Sequence, residues 1–269
     1  MSKIRPSIGL ALGSGGFRGL AHIGVIKVLE KNNIPVDYIA GSSIGALIST
    51  LYAYCLDILK IEKLALNTSW RRGLSIFDLG RHGGLIKGAK IEKLITNWLE
   101  HICPGKPLIP LAIVTTDLNT GQPVIFKKGD FVKPIHGSIA IPLIFEPINY
   151  QGKLLVDGGL VNPVPDDIVK NMGADKIIAV NLDQGEFKPL IGKKNPTFIN
   201  IGLRSLDIMA WYLNINSIHD ADVIINPLIK EEGIVGFDKF LNRNMVKRLI
   251  KIGETAAEKE LPRIKKLVN

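Results

Sequence analysis

A serine with a glycine two residues to either side, Gly41-Ser42-Ser43-Ile44-Gly45, has the residue type and spacing for nucleophilic chemistry. Such a serine sits on a sharp strand-to-helix turn. The turn crowds its neighbours against the backbone, so they must be small. The helix that follows turns its N-terminal amides and positive dipole end toward the serine oxygen. The pattern alone is weak, since roughly one chain of this size in ten would contain it by chance. A glycine turn with a capping serine would read the same without its context.

Two more glycine turns carry residues of interest. Gly13-Ser14-Gly15-Gly16-Phe17-Arg18-Gly19 opens a helix, and its backbone N–H groups can meet an anion. For an acyl-transfer serine that anion is the tetrahedral oxygen. For a nucleotide it is pyrophosphate. A dinucleotide fingerprint counted from Gly13 and Gly15 needs Gly or Ala where Arg18 stands, and the Lys-Ser/Thr of a P-loop is absent. Asp37, about twenty residues on, keeps a nucleotide-binding α/β reading of Gly13–Gly19 as an alternative. The third turn, Asp157-Gly158-Gly159, puts an acid at a strand end, which is also a common turn by itself.

A serine nucleophile needs a proton acceptor. The histidines are His22, His82, His101, His136 and His219. The chain order Ser, Asp, His of an α/β-hydrolase would select Asp157 and His219. That fold places several strands before its elbow, and here only two short ones precede Ser43. His22 reads as a packed helix residue one turn past Gly19, and His219 lies at a polar helix end. No histidine has a convincing context.

The elements that must position these groups alternate. Ile8–Leu12 reads as a strand, residues 20–31 as a helix and Tyr38–Ala40 as a strand. Residues 44–60, apolar almost all round, read as one buried helix. Strand, turn, helix, twice over, is α/β organisation around a parallel sheet. Further strands are expected near 107–118, in "GQPVIFKKG", at 154–159, 177–181 and 221–227. All three glycine turns then follow strands, where ligand sites of open α/β sheets lie. Residues 67–90 hold five glycines and read as a long irregular segment, a candidate lid or binding loop. Residues 186–197 read as a connector. Residues 198–217 read as a helix with Ile201, Ile208, Trp211/Tyr212 and Ile215 on one stripe. The basic tail reads as helical from about Asp238 and broken near Pro262.

The chain has 269 residues and reads as a single domain, with a core of about 7–227 and a basic tail of about 238–269. Net charge is +9, and residues 239–269 carry nine Lys/Arg against three Glu. That excess suits an anionic membrane surface, although a charge run is often only a solvated helix face. Cys55 reads as a buried thiol, and two cysteines make no disulfide framework, which suits a reducing compartment. The N-terminal apolar stretch is too short for a signal peptide, and no stretch reaches a membrane span. The expectation is a soluble cytoplasmic protein that touches membranes peripherally.

Taken together, "GSGGFRGLAHIGVIKVLE", "IPVDYIAGSSIGAL", "TTDLNTGQPV", "SIAIPLIFEPI" and "LVDGGLVNPVP" resemble the patatin-like phospholipases. The resemblance is greatest to short bacterial members related to the neuropathy target esterase catalytic domain, and it covers about residues 7–227. It implies a three-layer α/β/α fold with a mainly parallel central sheet. It implies a Ser–Asp dyad with Ser43 as nucleophile and Asp157 as general base. The oxyanion donors it implies are the amides of Gly15 and Gly16, helped by that of Ile44. Arg18, Gly41, Gly45, Gly158 and Gly159 would support them, with Arg18 holding the glycine turn or meeting a substrate phosphate. Ser14 departs from the family pattern, which often has glycine there. The resemblance implies a phospholipid or lysophospholipid substrate and no cofactor, metal or nucleic acid. A low-turnover regulatory scaffold is the other alternative, and oligomeric state is left open.

Overall fold

The computed structural model describes residues 5–67, 89–183, 197–229 and 242–268. In chain order the elements are β1 (Ile8–Leu12), α1 (Leu20–Lys31), β2 (Tyr38–Ser42), α2 (Ile44–Cys55), α3 (Ile58–Leu66), α4 (Ala89–His101), β3 (Leu111–Asp117) and β4 (Pro123–Phe126). Then come α5 (Val132–Ser138), β5 (Ile148–Tyr150), β6 (Lys153–Asp157), α6 (Asp166–Asn171), β7 (Lys176–Val180), α7 (Phe198–Ser217), β8 (Val223–Ile225) and α8 (Arg243–Val268). Single 3-10 turns cover Gly16–Gly19 and Gly158–Leu160.

Strands β3, β2, β1, β7 and β8 pair in parallel, and β4, β5 and β6 form an antiparallel wing. Strands β1 and β3 are buried at every residue, so neither alternates apolar with polar, and β3 carries buried Thr115, Thr116 and Asp117 at its end. One face of the sheet carries the large core that includes Leu20, Ile48, Leu51 and Leu249. The other face is small: Ala11, Ala40, Ala112 and Ala179 pack with Val164 and Val169. Short side chains there let α6 lie close to the strands.

Register along β3 decides where the site forms. Strand β4 runs along Ile113–Thr116. Strand β2 pairs with Leu111–Val114 and β6 with Thr115–Asp117. Since β4 occupies one edge over that span, β2 and β6 share the other and meet end to end. Ser42 opposite Val114 and Asp157 opposite Thr115 are therefore consecutive places on one edge. Asp157 thus reaches the site from an antiparallel strand, which the rule for parallel strand ends does not anticipate.

Several expectations change. Residues 44–60 are not one helix. Leu56 turns left-handed (φ 43) and Asp57 caps a new helix by accepting from the Leu59 and Lys60 amides. The tail helix is not broken at Pro262, which lies inside α8. Its buried stripe (Val246, Leu249, Ile250, Gly253, Ala257, Ile264) continues past the proline, so packing holds both sides in line. Cys55 is no free thiol: it is disulfide-bonded to Cys103, with Cα atoms 5.0 Å apart, which overturns the reduced-cysteine reading. The bridge ties the end of α2 to the turn after α4. The stripe on α7 faces outward, with Ile201 52%, Tyr212 61% and Ile215 53% exposed. Most of the 67–90 and 186–197 segments, and the start of the tail at Asp238, lie outside the described residues.

Candidate active site

Ser43 occupies the position between β2 and α2, with φ 54 and ψ −125. This backbone conformation is rare for a residue with a side chain and stores strain. The turn is tight enough to exclude side chains from its flanks. A Cβ on Gly41 would lie 2.3 Å from the Gly45 carbonyl oxygen, and one on Gly45 2.1 Å from that of Leu12. The glycine spacing is thus required by the close passage of backbone on both sides of Ser43.

Two serine contacts fix the elbow. Ser43 N–H donates to Ser138 Oγ at 2.9 Å, and Ser138 Oγ–H donates to the Val114 carbonyl at 2.6 Å. Ser138 ends α5 and is fully buried. The sequence reading gave it no role. Its only signal was a polar residue heading a mostly apolar motif.

Ser43 Oγ donates to Asp157 Oδ2 at 2.6 Å, and both residues are buried. The other oxygen, Asp157 Oδ1, accepts from Gly159 N–H at 2.7 Å. The Asp157 backbone is pinned as well. Its N–H donates to the Ala140 carbonyl, and its own carbonyl accepts from Thr116 Oγ1. Burial raises the Asp157 carboxyl from 3.8 to about 7, against the hydrogen bonds from Ser43 and Gly159, which lower it. A carboxylate that binds its proton near neutrality is a better base for a hydroxyl than an ordinary one.

The Gly13–Gly19 loop lies beside this pair. A Cβ on Gly19 would strike the Ile44 side chain at 2.3 Å, and one on Gly159 would touch Ser14 at 3.0 Å. Gly15 and Gly16 both take positive φ, 153 and 56, which lets the loop fold back on itself. Its carbonyls point into protein donors. His22 Nε2 meets the Gly13 oxygen at 2.8 Å, and Arg18 Nε donates to the Gly15 oxygen at 3.1 Å. Burial holds the His22 imidazole down to about 4, so it is neutral and donates from Nε2.

The rest of the Arg18 fork donates to the Leu182 carbonyl at 3.3 Å and pairs with Asp183. The loop-holding reading of Arg18 accounts for all three nitrogens. Asp37 sits at the amino end of β2, where it accepts from Ile8 N–H and pairs with Arg5. That is the end of the sheet opposite the glycine loop, which removes the acid a dinucleotide site needs. His219 gives its backbone N–H to Asp166 Oδ2. His136 pairs with Glu92 on α4. Among the described residues no group of His, Cys, Asp or Glu is arranged to hold a metal ion.

Comparison with known proteins decides the family. The model of the family "Patatin-like phospholipase" matches residues 10–169. The chain belongs to the patatin-like phospholipase family. Among curated relatives, an uncharacterized NTE family protein of Mycobacterium bovis is 36% identical over 186 residues, 68% of this chain and 51% of that protein. Lysophospholipase nte1 of Aspergillus fumigatus is 33% identical over 190 residues, 65% of this chain and 12% of that protein. The chain thus spans about half the length of the mycobacterial relative and a small part of the fungal one. The crystal structure of VipD from Legionella pneumophila superposes with a TM-score of 0.57 at 15% identity, over 97% of this chain and 68% of that one. At that identity the likeness speaks for the patatin-like fold alone.

Proposed function

We propose that this patatin-like protein is a serine acyl hydrolase that cleaves fatty-acyl esters of phospholipids or lysophospholipids through a Ser43–Asp157 dyad. The observation that carries the reading is the 2.6 Å hydrogen bond from Ser43 Oγ to Asp157 Oδ2 in a buried site. As Ser43 Oγ attacks the ester carbonyl carbon, Asp157 Oδ2 takes its proton. The carbonyl oxygen becomes an oxyanion, held by the Gly15 and Gly16 amides with help from Ile44 at the start of α2. Collapse breaks the ester C–O bond, and Asp157 returns the proton to the departing alcohol oxygen. Water then attacks the acyl-Ser43, losing its proton to Asp157. The fatty acid leaves and Ser43 recovers its hydrogen.

Family membership and the lysophospholipase name of the fungal relative support a lipid ester as substrate. No described helix is long and apolar enough to cross a membrane, and the contact with lipid in this proposal is peripheral. The net charge of +9 and the exposed lysines of α8 favour an anionic surface.

The test compares wild type with Ser43→Ala and Asp157→Asn on lysophosphatidylcholine and on a short-chain nitrophenyl ester. Loss in both variants supports the dyad. Activity that survives both substitutions overturns it. Active wild type on the nitrophenyl ester alone would remove lipid from the reading.

A further inference from the structure

The Arg18 fork does more than close a turn. A peptide unit is planar, so the carbonyl of Gly15 and the N–H of Gly16 point in opposite directions within one plane. Arg18 Nε, together with the Arg18 amide at 3.2 Å, holds that Gly15 oxygen. Holding the oxygen fixes the direction of the Gly16 N–H. Gly15 and Gly16 both take positive φ and bring no side chain of their own to restrain this plane.

Arg18 is itself held. Its fork pairs with Asp183 Oδ1, and both side chains are largely buried, 12% and 10% exposed. Asp183 has its second oxygen engaged: Asn214 Nδ2, on α7, donates to Asp183 Oδ2 at 2.9 Å. Asp183 N–H donates to Asn181 Oδ1 at 2.9 Å, which braces the residue where the chain leaves β7. Asn214 is the one buried residue of α7, a helix whose outer face is otherwise exposed or half-buried. Asn214 spends its amide hydrogens on Asp183 Oδ2 and the Ala210 carbonyl. Its own Oδ1 and Asn181 Nδ2 are buried without a partner among the described residues, so the amide is held from its donor side, two contacts from the oxyanion loop.

We infer that Asp183 and Asn214 are positioning residues, which act through Arg18 to orient the Gly15–Gly16 peptide and aim the Gly16 amide at the oxyanion. This rests on the acyl-hydrolase reading above. It assigns two residues outside every family motif in the sequence. It also assigns Arg18 to the transition state in place of a substrate phosphate.

The experiment takes wild type, Arg18→Lys, Asp183→Asn and Asn214→Leu. It measures kcat and KM on lysophosphatidylcholine, the pH profile, the melting midpoint and the amide resonance of Gly16 in a 15N-labelled sample. A mis-aimed oxyanion donor should lower kcat by about 10-fold to 10²-fold, up to the loss of one donor. KM and the acid limb of the pH profile should stay where they are, since Asp157 is untouched. The Gly16 resonance should move in all three variants. Lysine keeps the charge of Arg18 but cannot reach three acceptors at once, so Arg18→Lys should be the most affected.

A rise in KM with kcat intact would hand Arg18 to substrate phosphate and overturn the inference. So would folded variants with unchanged kcat and an unmoved Gly16 resonance. If Asp183→Asn fails to fold, Asn214→Leu decides, because it spares the ion pair. Wild type without turnover sinks the acyl-hydrolase reading, whereas the Gly16 resonance still reports whether the network orients the peptide.

Discussion

Ser43 Oγ and Asp157 Oδ2 lie 2.6 Å apart because two strands running in opposite directions end side by side on one edge of β3. The pair spans 114 residues of sequence, yet consecutive rungs of one strand set its spacing. The dyad geometry therefore depends on register, and its loss should be all or none.

Removing either partner should abolish turnover. Asp157→Asn keeps the shape and loses the base, and general-base catalysis contributes about 10²–10⁴-fold. Ser43→Ala should also prevent labelling by a fluorophosphonate probe, read by mass spectrometry. Labelling that persists in Ser43→Ala would place the nucleophile elsewhere.

Turnover should rise with pH through about 7, as Asp157 loses its proton and becomes the base. Stability should carry two opposing slopes. Folded Asp157 keeps its proton up to about 7, whereas the unfolded chain releases it near 3.8, so this contribution is full below 3.8 and lost as pH rises to about 7. Folded His22 refuses a proton down to about 4, whereas the unfolded chain takes one up near 6.5, so its contribution is lost as pH falls across that window. Melting curves should show Asp157→Asn gaining on wild type as pH rises through about 7. His22→Gln retains a donor for Gly13 and should gain as pH falls below 6.5. Curves that stay parallel would contradict both assignments.

Ser138→Ala should lower both stability and kcat. It leaves the buried Ser43 N–H without its acceptor and takes a donor from Val114. An orphaned buried group costs about 1–3 kcal/mol, which urea unfolding measures. Ser138→Cys, which keeps a weak acceptor, should fall between the two.

Reducing the Cys55–Cys103 bridge, or replacing both cysteines by alanine, should lower the melting midpoint. The bridge closes a loop with a sequence separation of 48, and native bridges contribute about 2–4 kcal/mol. It anchors the end of α2 far from Ser43, so kcat should hold at low temperature. A midpoint indifferent to reductant would mean the bridge does not form in solution.

The elbow, the glycine loop and Asp157 were legible because each needs residues of one type at fixed spacing. The direction of β6 was not, since a five-residue apolar strand looks the same either way round. Ser138, Asp183 and Asn214 contact Ser43, Arg18 and Asp183 across 95, 165 and 31 residues, and no local pattern marks such contacts. Periodicity found the stripe on α7 but carried no sign for inside or outside. The same blindness hid the cysteine pair: side chains 48 residues apart reveal nothing until the chain brings them together.

Ser43 sits at φ 54, a conformation that glycine adopts freely and serine does not. A lineage released from selection for this chemistry would therefore gain stability by drifting to glycine at this position, and gain little by drifting to alanine. Glycine in a related chain, between the same two glycines, would be a molecular fossil of an abandoned reaction.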